Sequence, residues 1–170
     1  MARIPLITSK DGLVAEQRAV FDSIVESRGR MLRPFEVLLH KPAIASHTGA
    51  LGATIRFESE LAHQDRELLI LVTAFEHACD FEWDTHVEVA RAAGVSEATI
   101  AALREEHPEL AEPERSLVVF ARELCRNSTV SEETFDATHR MLGTSGLVEA
   151  ATTVGYYTML AYAMNACGAC

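Results

Sequence analysis

The sequence predicts a single all-α domain, and three observations support this fold class. No segment of the 170 residues alternates apolar and polar side chains for long enough to indicate a β-strand. Apolar residues instead recur three and four positions apart in most of the chain, which is the spacing of one helix face. The composition is 48% hydrophobic and rich in Ala and Leu, which have the most favourable helix propensities. We therefore expect a bundle of about seven or eight helices.

The N-terminal part of the chain predicts three of these helices. The first is expected over residues 11–28, because apolar positions at helical spacing precede Gly29, a residue type that commonly ends helices. A short apolar turn or helix follows at residues 34–40. Pro42 is expected in the first turn of the next helix, where proline is tolerated, and that helix runs to about Arg56.

The middle of the chain predicts a buried helix followed by an amphipathic one. Residues 64–78 are apolar on nearly every side, so this helix is expected in the core. A second helix is expected from about Asp80 to Ala93, with Gly94 ending it. Ser96 then caps a short helix, because its hydroxyl can accept a hydrogen bond from a backbone N–H of the first turn.

The last third of the chain predicts three further helical segments. Residues 114–126 are amphipathic, and Ser131 is expected to cap a helix that ends at Gly143. Residues 146–165 form the final helix. Glu149 and several Thr and Tyr residues interrupt its apolar run, which favours a buried helix over one that spans a membrane.

Length and charge predict one compact domain without a nucleic-acid or membrane partner. Residues 1–28 are expected to form an N-terminal helical segment, and residues 29–170 the main helical domain. A formal net charge of −10 argues against nucleic-acid binding, which needs clustered Lys and Arg. The N-terminus has no signal-peptide pattern, so we expect a cytoplasmic protein whose four cysteines are reduced thiols.

The residues best suited to chemistry lie on the buried helix and the one after it. Cys79, Glu82 and His86 share the inward face of the helix that starts at Asp80. Cys79 lies at a helix N-terminus, where the macrodipole favours a thiolate, and Glu82 can hydrogen-bond to His86 four residues later. Glu67 lies on the preceding apolar helix, where desolvation of a carboxyl group makes it a candidate for proton transfer.

Each of these residues also has an ordinary structural interpretation. Glu67 could be an exposed acid paired with Arg66, Glu82 and His86 a polar pair on a helix, and Cys79 a small buried side chain. One histidine with two carboxylates only weakly indicates a metal site, so we expect neither metal nor cofactor. The histidines outside this group are interpreted as surface or structural residues: His40, His47, His63, His77, His107 and His139.

A break in the helical path is required if these side chains are to meet. Glu67 and Cys79 would lie about 18 Å apart on one continuous helix, at 1.5 Å per residue. We therefore predict a break near Ala78, and we predict that Glu67, Cys79, Glu82 and His86 converge on one cavity for a small-molecule substrate.

The spacing of these residues resembles the core motif of the carboxymuconolactone decarboxylase and alkyl-hydroperoxidase-D-like family. The resemblance extends more loosely over most of the chain and implies an all-α bundle of that type, assembled as a homo-oligomer such as a trimer or hexamer. The motif comprises Arg66-Glu67-Leu68, Cys79, Glu82-Trp83, His86 and Ala90-x-x-Ala93-Gly94-Val95-Ser96.

The family contains two chemistries, and this chain departs from the pattern of both. The resemblance implies that hydroperoxidase members carry cysteines at the positions of Cys79 and Glu82, with Glu67 and His86 relaying protons. Decarboxylase members lack both cysteines and act on a lactone acid without a cofactor. This chain keeps the first cysteine but has a glutamate in place of the second.

Three functional hypotheses follow from this departure. The leading one is a cofactor-free lyase or isomerase acting on a small organic acid or lactone, with His86 as general acid or base supported by Glu82 and Glu67. The second is a Cys79-based hydroperoxidase with peroxiredoxin-type antioxidant activity, in which Cys167 or Cys170 could resolve a sulfenic acid. The third is a helical oligomer without catalytic activity.

Small and apolar residues outside the candidate site also predict self-association. Gly49 and Gly52 indicate a helix that packs closely against another helix. Together with the apolar residues 146–165, they provide more small and apolar surface than one small bundle needs. We therefore expect a homo-oligomer.

Overall fold

A computed structural model describes residues 2–170, and these residues form eight helices and no strand, which confirms the all-α class. The described chain divides into two compact units, and the predicted division after residue 28 stays a prediction. The helices are α1 (Ala15–Arg28), α2 (Arg33–Leu38), α3 (Pro42–Phe57), α4 (His63–Glu76), α5 (Asp80–Ala93), α6 (Glu97–Ala102), α7 (Glu114–Asn127) and α8 (Glu132–Ala166).

The first unit comprises the chain up to Glu58 together with Tyr162–Cys170. Helix α3 packs against α1 and α2. A Cβ atom on Gly49 would lie 3.8 Å from the Phe35 side chain and 3.9 Å from that of Ile24, so α3 approaches both neighbouring helices closely at this glycine. The core of this unit consists of Phe21, Ile24, Phe35, Leu39 and Ala45.

The second unit comprises residues 59–161 and contains α4, α5, α6, α7 and most of α8. Its central element is α4, which packs against both α5 and α7. Every residue of α4 from Arg66 to Ala74 is buried, as expected for a helix that is apolar on nearly all sides. This helix supplies much of the core, with Leu68, Leu69, Leu71 and Val72 almost fully inaccessible to solvent.

The connection between α4 and α5 is the break that the sequence predicts. Helix α4 ends at Glu76, and Ala78 has a φ of +48°, a left-handed backbone conformation that interrupts a right-handed helix. Cys79 is the N-cap residue of α5. Two consecutive helices can therefore pack against each other where one straight helix would have kept their side chains apart.

The predicted helix ends are confirmed at several positions. Gly94 ends α5 with a φ of +99°, and Ser96 Oγ accepts a hydrogen bond from the Thr99 backbone N–H at the start of α6. Helix α8 is interrupted at Gly143, which has a φ of +67°, where two separate helices were expected. Within the described residues, no helix combines the length and apolarity needed to cross a membrane.

Candidate functional site

His86 is the residue around which the candidate site is arranged. Its Nδ1 donates a hydrogen bond to Glu67 Oε2 at 2.7 Å, and its Nε2 lies 3.5 Å from Glu82 Oε2. Glu67 comes from the first turns of α4, whereas Glu82 and His86 lie one helical turn apart on α5. The packing of α4 against α5 therefore brings two carboxylates to opposite nitrogens of one imidazole ring.

Burial distinguishes these side chains from ordinary surface ion pairs. Glu67 is 3% exposed, Glu82 4% and His86 8%. The interpretation of Glu67 as an exposed acid beside Arg66 is therefore wrong, because Arg66 is itself buried and its Nε lies 3.7 Å from Glu67 Oε1. Buried charged groups are costly unless they are paired, and the Arg66 guanidinium beside Glu67 offsets its charge.

Cys79 lies at the N-terminus of the same helix, on the turn before Glu82. It is 1% exposed, and its backbone carbonyl accepts the Trp83 N–H in the first turn of α5. Cys79 and Cys170 are disulfide-bonded residues, whereas Cys125 and Cys167 are free thiols. The expectation of four reduced thiols is therefore wrong, because the oxidation state of a thiol depends on its local surroundings rather than on composition.

Two residues that sequence reasoning did not assign also contact the site. The Tyr157 ring on α8 meets the His86 ring edge to face, with centroids 5.1 Å apart, and limits how that imidazole can turn. His63 Nε2 lies 3.4 Å from Glu67 Oε1 at the exposed start of α4. The spacing of four residues between His63 and Glu67 could have indicated this pair, whereas nothing local in the sequence points from Tyr157 to His86.

Trp83 on α5 makes one aromatic contact and one cation–π contact with neighbouring side chains. Trp83 is buried, and its ring meets that of Phe75 edge to face with centroids 6.0 Å apart. The Arg104 guanidinium lies over the Trp83 ring, 4.4 Å from the centroid, within the range of a cation–π contact. Asp84, Glu88 and Arg91, on the opposite side of α5, are exposed.

The arrangement around His86 is suited to proton transfer. A carboxylate that accepts from Nδ1 fixes the tautomer of the ring and leaves Nε2 to exchange a proton with Glu82 or a substrate. His86 therefore connects Glu67 on its Nδ1 side with Glu82 on its Nε2 side. In the described part of the chain, no group of three or more His, Cys, Asp or Glu side chains has a metal-binding arrangement.

Two cavities lie beside α7, away from this group of side chains. Their volumes are ≈ 350 Å³ and ≈ 310 Å³, and Glu67, Cys79, Glu82 and His86 line neither of them. The first is bordered by Arg115, Arg122 and Arg126. The predicted convergence of the four site residues on one cavity therefore stays a prediction.

Burial also changes the acidity of groups around α4. Burial raises the pKa of the Asp65 carboxyl, and the negative charge of Glu114 acts in the same direction. Burial lowers the pKa of His77, whose ring nitrogen hydrogen-bonds to Thr158 Oγ1 at 3.0 Å. Burial likewise raises the pKa of the free Cys125 thiol. Cys125 is therefore a poor nucleophile near neutral pH.

Comparison with known proteins gives a family match for part of the chain and a fold for nearly all of it. Residues 42–106 match the carboxymuconolactone decarboxylase family. No curated protein is similar enough in sequence to count as a match.

Three solved structures share the fold at low sequence identity. The AhpD core of a peroxidase-related protein from Ralstonia eutropha has a TM-score of 0.80 at 17% identity, covering 99% of this chain and 91% of its own. A cysteine-to-alanine variant of the debrominase Bmp8, in complex with 2,3,4-tribromopyrrole, has a TM-score of 0.78 at 16% identity, covering 100% and 93%. A protein of unknown function from Agrobacterium tumefaciens has a TM-score of 0.67 at 21% identity, covering 78% and 91%.

The motif and the fold thus lead to the same assignment. The family match contains the residues from Glu67 to His86 on which the sequence resemblance depends, and the structural similarity extends over nearly the whole chain. Residues 42–106 therefore match the carboxymuconolactone decarboxylase family model, within a chain whose all-helical fold is similar to that of alkyl-hydroperoxidase-D-like structures.

Proposed function

We propose that this protein is a thiol-dependent oxidoreductase that reduces a small hydroperoxide, with Cys79 as nucleophile and His86 as proton donor. The observation that carries the proposal is the oxidised state of Cys79, a buried thiol at the N-terminus of the helix that bears Glu82 and His86. A lyase that works by acid–base catalysis has no use for a disulfide at this position. The oxidised cysteine therefore favours the peroxidase hypothesis over the lyase hypothesis.

The reaction begins with Cys79 as a thiolate, which the positive end of the α5 macrodipole stabilises. The sulfur attacks the terminal oxygen of the hydroperoxide, so that an S–O bond forms and the O–O bond breaks. The departing alkoxide takes a proton from the His86–Glu82 pair and leaves as an alcohol. Cys79 is now a sulfenic acid, oxidised by two electrons, and the hydroperoxide has been reduced by two.

Glu67 holds the ring that supplies this proton. Its hydrogen bond from His86 Nδ1 keeps the opposite ring nitrogen directed towards Glu82. The Tyr157 ring meets the His86 ring edge to face and restricts its rotation. The Ralstonia eutropha relative is named as peroxidase-related, which supports a hydroperoxide substrate. The debrominase supports a second substrate class, a halogenated aromatic compound, whose reductive loss of halide also consumes two electrons.

Hydroperoxide turnover with dithiothreitol, measured on matched cysteine variants, tests the proposal. We expect wild type to turn over hydroperoxide and Cys79→Ser to lose that turnover. Cys125→Ser is the matched control, because this thiol is free and half-buried and has a raised pKa. His86→Ala should lose about 10²- to 10⁴-fold, the usual effect of removing a general acid or base.

The competing functions give different results in the same assay. Turnover that survives in Cys79→Ser would mean that the thiol is not the nucleophile. If wild type consumes a bromopyrrole but no hydroperoxide, the proposed substrate class is wrong and the proposed thiol chemistry is retained. If wild type consumes neither the hydroperoxide nor the bromopyrrole, the acid–base lyase hypothesis becomes the preferred one.

A further inference from the structure

The larger cavity beside α7, with a volume of ≈ 350 Å³, has no part in the proposed reaction, because none of the four candidate site residues lines it. Its volume lies within the range of about 300–1,000 Å³ that is usual for small-molecule pockets. All of its lining residues belong to the second unit, from Glu106 in the segment after α6 to Asn127 at the end of α7. The cavity is therefore formed within one unit.

Two arginines of α7 hold one wall of this cavity in place. Arg122 is 7% exposed. Its guanidinium donates at 2.9, 2.6 and 2.8 Å to the backbone carbonyls of Leu103, Glu105 and Glu106. Arg126 donates to the Glu106 carboxylate at 2.7 Å. These hydrogen bonds join the segment after α6 to α7, so this wall does not depend on a ligand.

The charges of these two arginines are already compensated by acidic side chains. Arg122 Nε lies 3.2 Å from Glu76 Oε1, and Arg126 donates to Glu76 Oε2 at 2.6 Å as well as to Glu106. The Glu123 carboxylate also lines the cavity, and it accepts three hydrogen bonds from backbone and hydroxyl donors around the start of α8. None of these groups needs a ligand to complete its contacts.

Arg115, in the first turn of α7, is the third arginine of the cavity and differs from the other two. It is exposed, and none of the ion pairs among the described residues 2–170 includes it. Apolar side chains border the cavity as well: Pro108, Leu110, Val118 and Val119. A guanidinium can bind a carboxylate through two parallel hydrogen bonds, while apolar walls bury the rest of a ligand.

We propose that this cavity binds a small monocarboxylate with an apolar body. The carboxylate pairs with Arg115, and the body lies against Leu110, Val118 and Val119. An inorganic anion is a poorer ligand, because it has no apolar surface to remove from water. The proposal does not depend on the reaction at Cys79, so a failed hydroperoxide assay leaves it intact and its own failure leaves the proposed function intact.

Saturation-transfer NMR with hexanoate as the probe tests the contribution of the charge, because it observes a weakly bound ligand whatever the size of the protein. We expect wild type to bind hexanoate. Arg115→Gln should bind it about 10-fold more weakly, since a hydrogen bond to a charged group contributes more than a neutral one. Arg140→Gln is the matched control, because Arg140 is an exposed arginine of α8 outside the cavity, and it should bind as wild type does.

A neutral analogue and a second variant test whether the ligand lies in the cavity. Hexanamide has the same apolar body, so Arg115→Gln should leave its weaker binding unchanged. Val119→Phe enlarges a side chain of the cavity lining and should weaken the binding of hexanoate and hexanamide alike. Val14→Phe makes the same change at an exposed position before α1 and should weaken neither.

Three results would overturn the proposal. Wild type without saturable hexanoate binding would contradict the site itself. Equal hexanoate affinity in wild type and Arg115→Gln would contradict the pairing with Arg115, and unchanged affinity in Val119→Phe would place the ligand elsewhere. Arg115 and Val119 are both exposed, so thermal unfolding of both variants should coincide with that of wild type, which excludes unfolding as the cause of weaker binding.

Discussion

Glu67 has two functions at the residue scale, since it both balances charge and orients a ring. One oxygen accepts from His86 Nδ1, while the other lies near His63 and Arg66 at 3.4 Å and 3.7 Å. Within a buried site the first contact is a charge-assisted hydrogen bond, which is about twice as strong as a neutral one. We therefore propose that Glu67 is a positioning residue, which acts on the proposed reaction through His86.

Substitution Glu67→Gln tests this positioning role. Glutamine keeps the size of the side chain and can still accept from His86, but it removes the negative charge. A hydrogen bond to a charged group contributes roughly 1.5–3 kcal/mol and a neutral one roughly 0.5–1.5 kcal/mol, so we expect hydroperoxide turnover to fall about 10-fold.

The pH profile separates positioning from loss of structure. Turnover in Glu67→Gln should depend on pH differently from wild type, because the ring has lost its fixed anionic partner. Glu88→Gln is the matched control, because Glu88 is an exposed glutamate on α5. An unchanged pH profile together with reduced thermal stability would indicate that Glu67 acts only in folding.

At the scale of elements, the junction between α4 and α5 determines which side chains meet. Ala78 is one of two non-glycine residues with positive φ in the described chain, the other being Ser128. The left-handed conformation costs an alanine about 1–2 kcal/mol because its Cβ approaches the following carbonyl. The packing of α4 on α5 compensates for this strain, and the junction directly precedes Cys79.

Substitution Ala78→Gly should therefore stabilise the protein. Glycine removes the steric cost of about 1–2 kcal/mol but loses more backbone entropy on folding, by about 0.5–1 kcal/mol. We expect the free energy of unfolding to rise by roughly 0.5–1 kcal/mol, measured by urea denaturation at a fixed thiol oxidation state.

Ala151→Gly provides the opposite control, because this exposed residue lies within the regular part of α8. It should lower the free energy of unfolding by about 1 kcal/mol, the usual difference in helix propensity between Ala and Gly. If both variants destabilise the protein equally, Ala78 is not strained.

At the scale of the whole molecule, α8 has an exposed face that its own unit does not cover. Val148 is 59% exposed and Met159 is 38% exposed, and Thr152 and Gly155 lie between them on the same face. These positions follow one another at spacings of four, three and four residues, which is the spacing of side chains along the contact seam between two packed helices. The homo-oligomer expected from the sequence stays a prediction, and this face is where we expect copies to meet.

Light scattering of wild type should return a multiple of the 18.6 kDa chain mass at micromolar concentration, with three or six copies expected. Val148→Asp places a charge on the proposed seam and should shift the mass towards the monomer. Val119→Asp makes the same substitution on the exposed surface of α7 and should leave the mass unchanged. Wild type that elutes and scatters as a monomer would contradict the prediction.

Local signals in the sequence were enough to predict the helices and to select the candidate site residues. Apolar spacing, Gly29 and Gly94 as helix ends, and Ser96 and Ser131 as caps are local signals, so each can be recognised without the rest of the fold. The alignment of Cys79, Glu82 and His86 is equally local, because it depends only on helical periodicity.

The contacts among those residues could be learned only from the tertiary structure. The burial of Glu67 and its hydrogen bond from His86 depend on α4 packing against α5, and the contact between Tyr157 and His86 depends on where α8 lies within the same unit. The oxidised state of Cys79 and Cys170 could not be predicted either, since a disulfide depends on distance in space rather than on sequence separation. Local propensity specifies where a helix forms. Which helices pack against each other depends on long-range contacts, and a single sequence has no periodic pattern that reveals them.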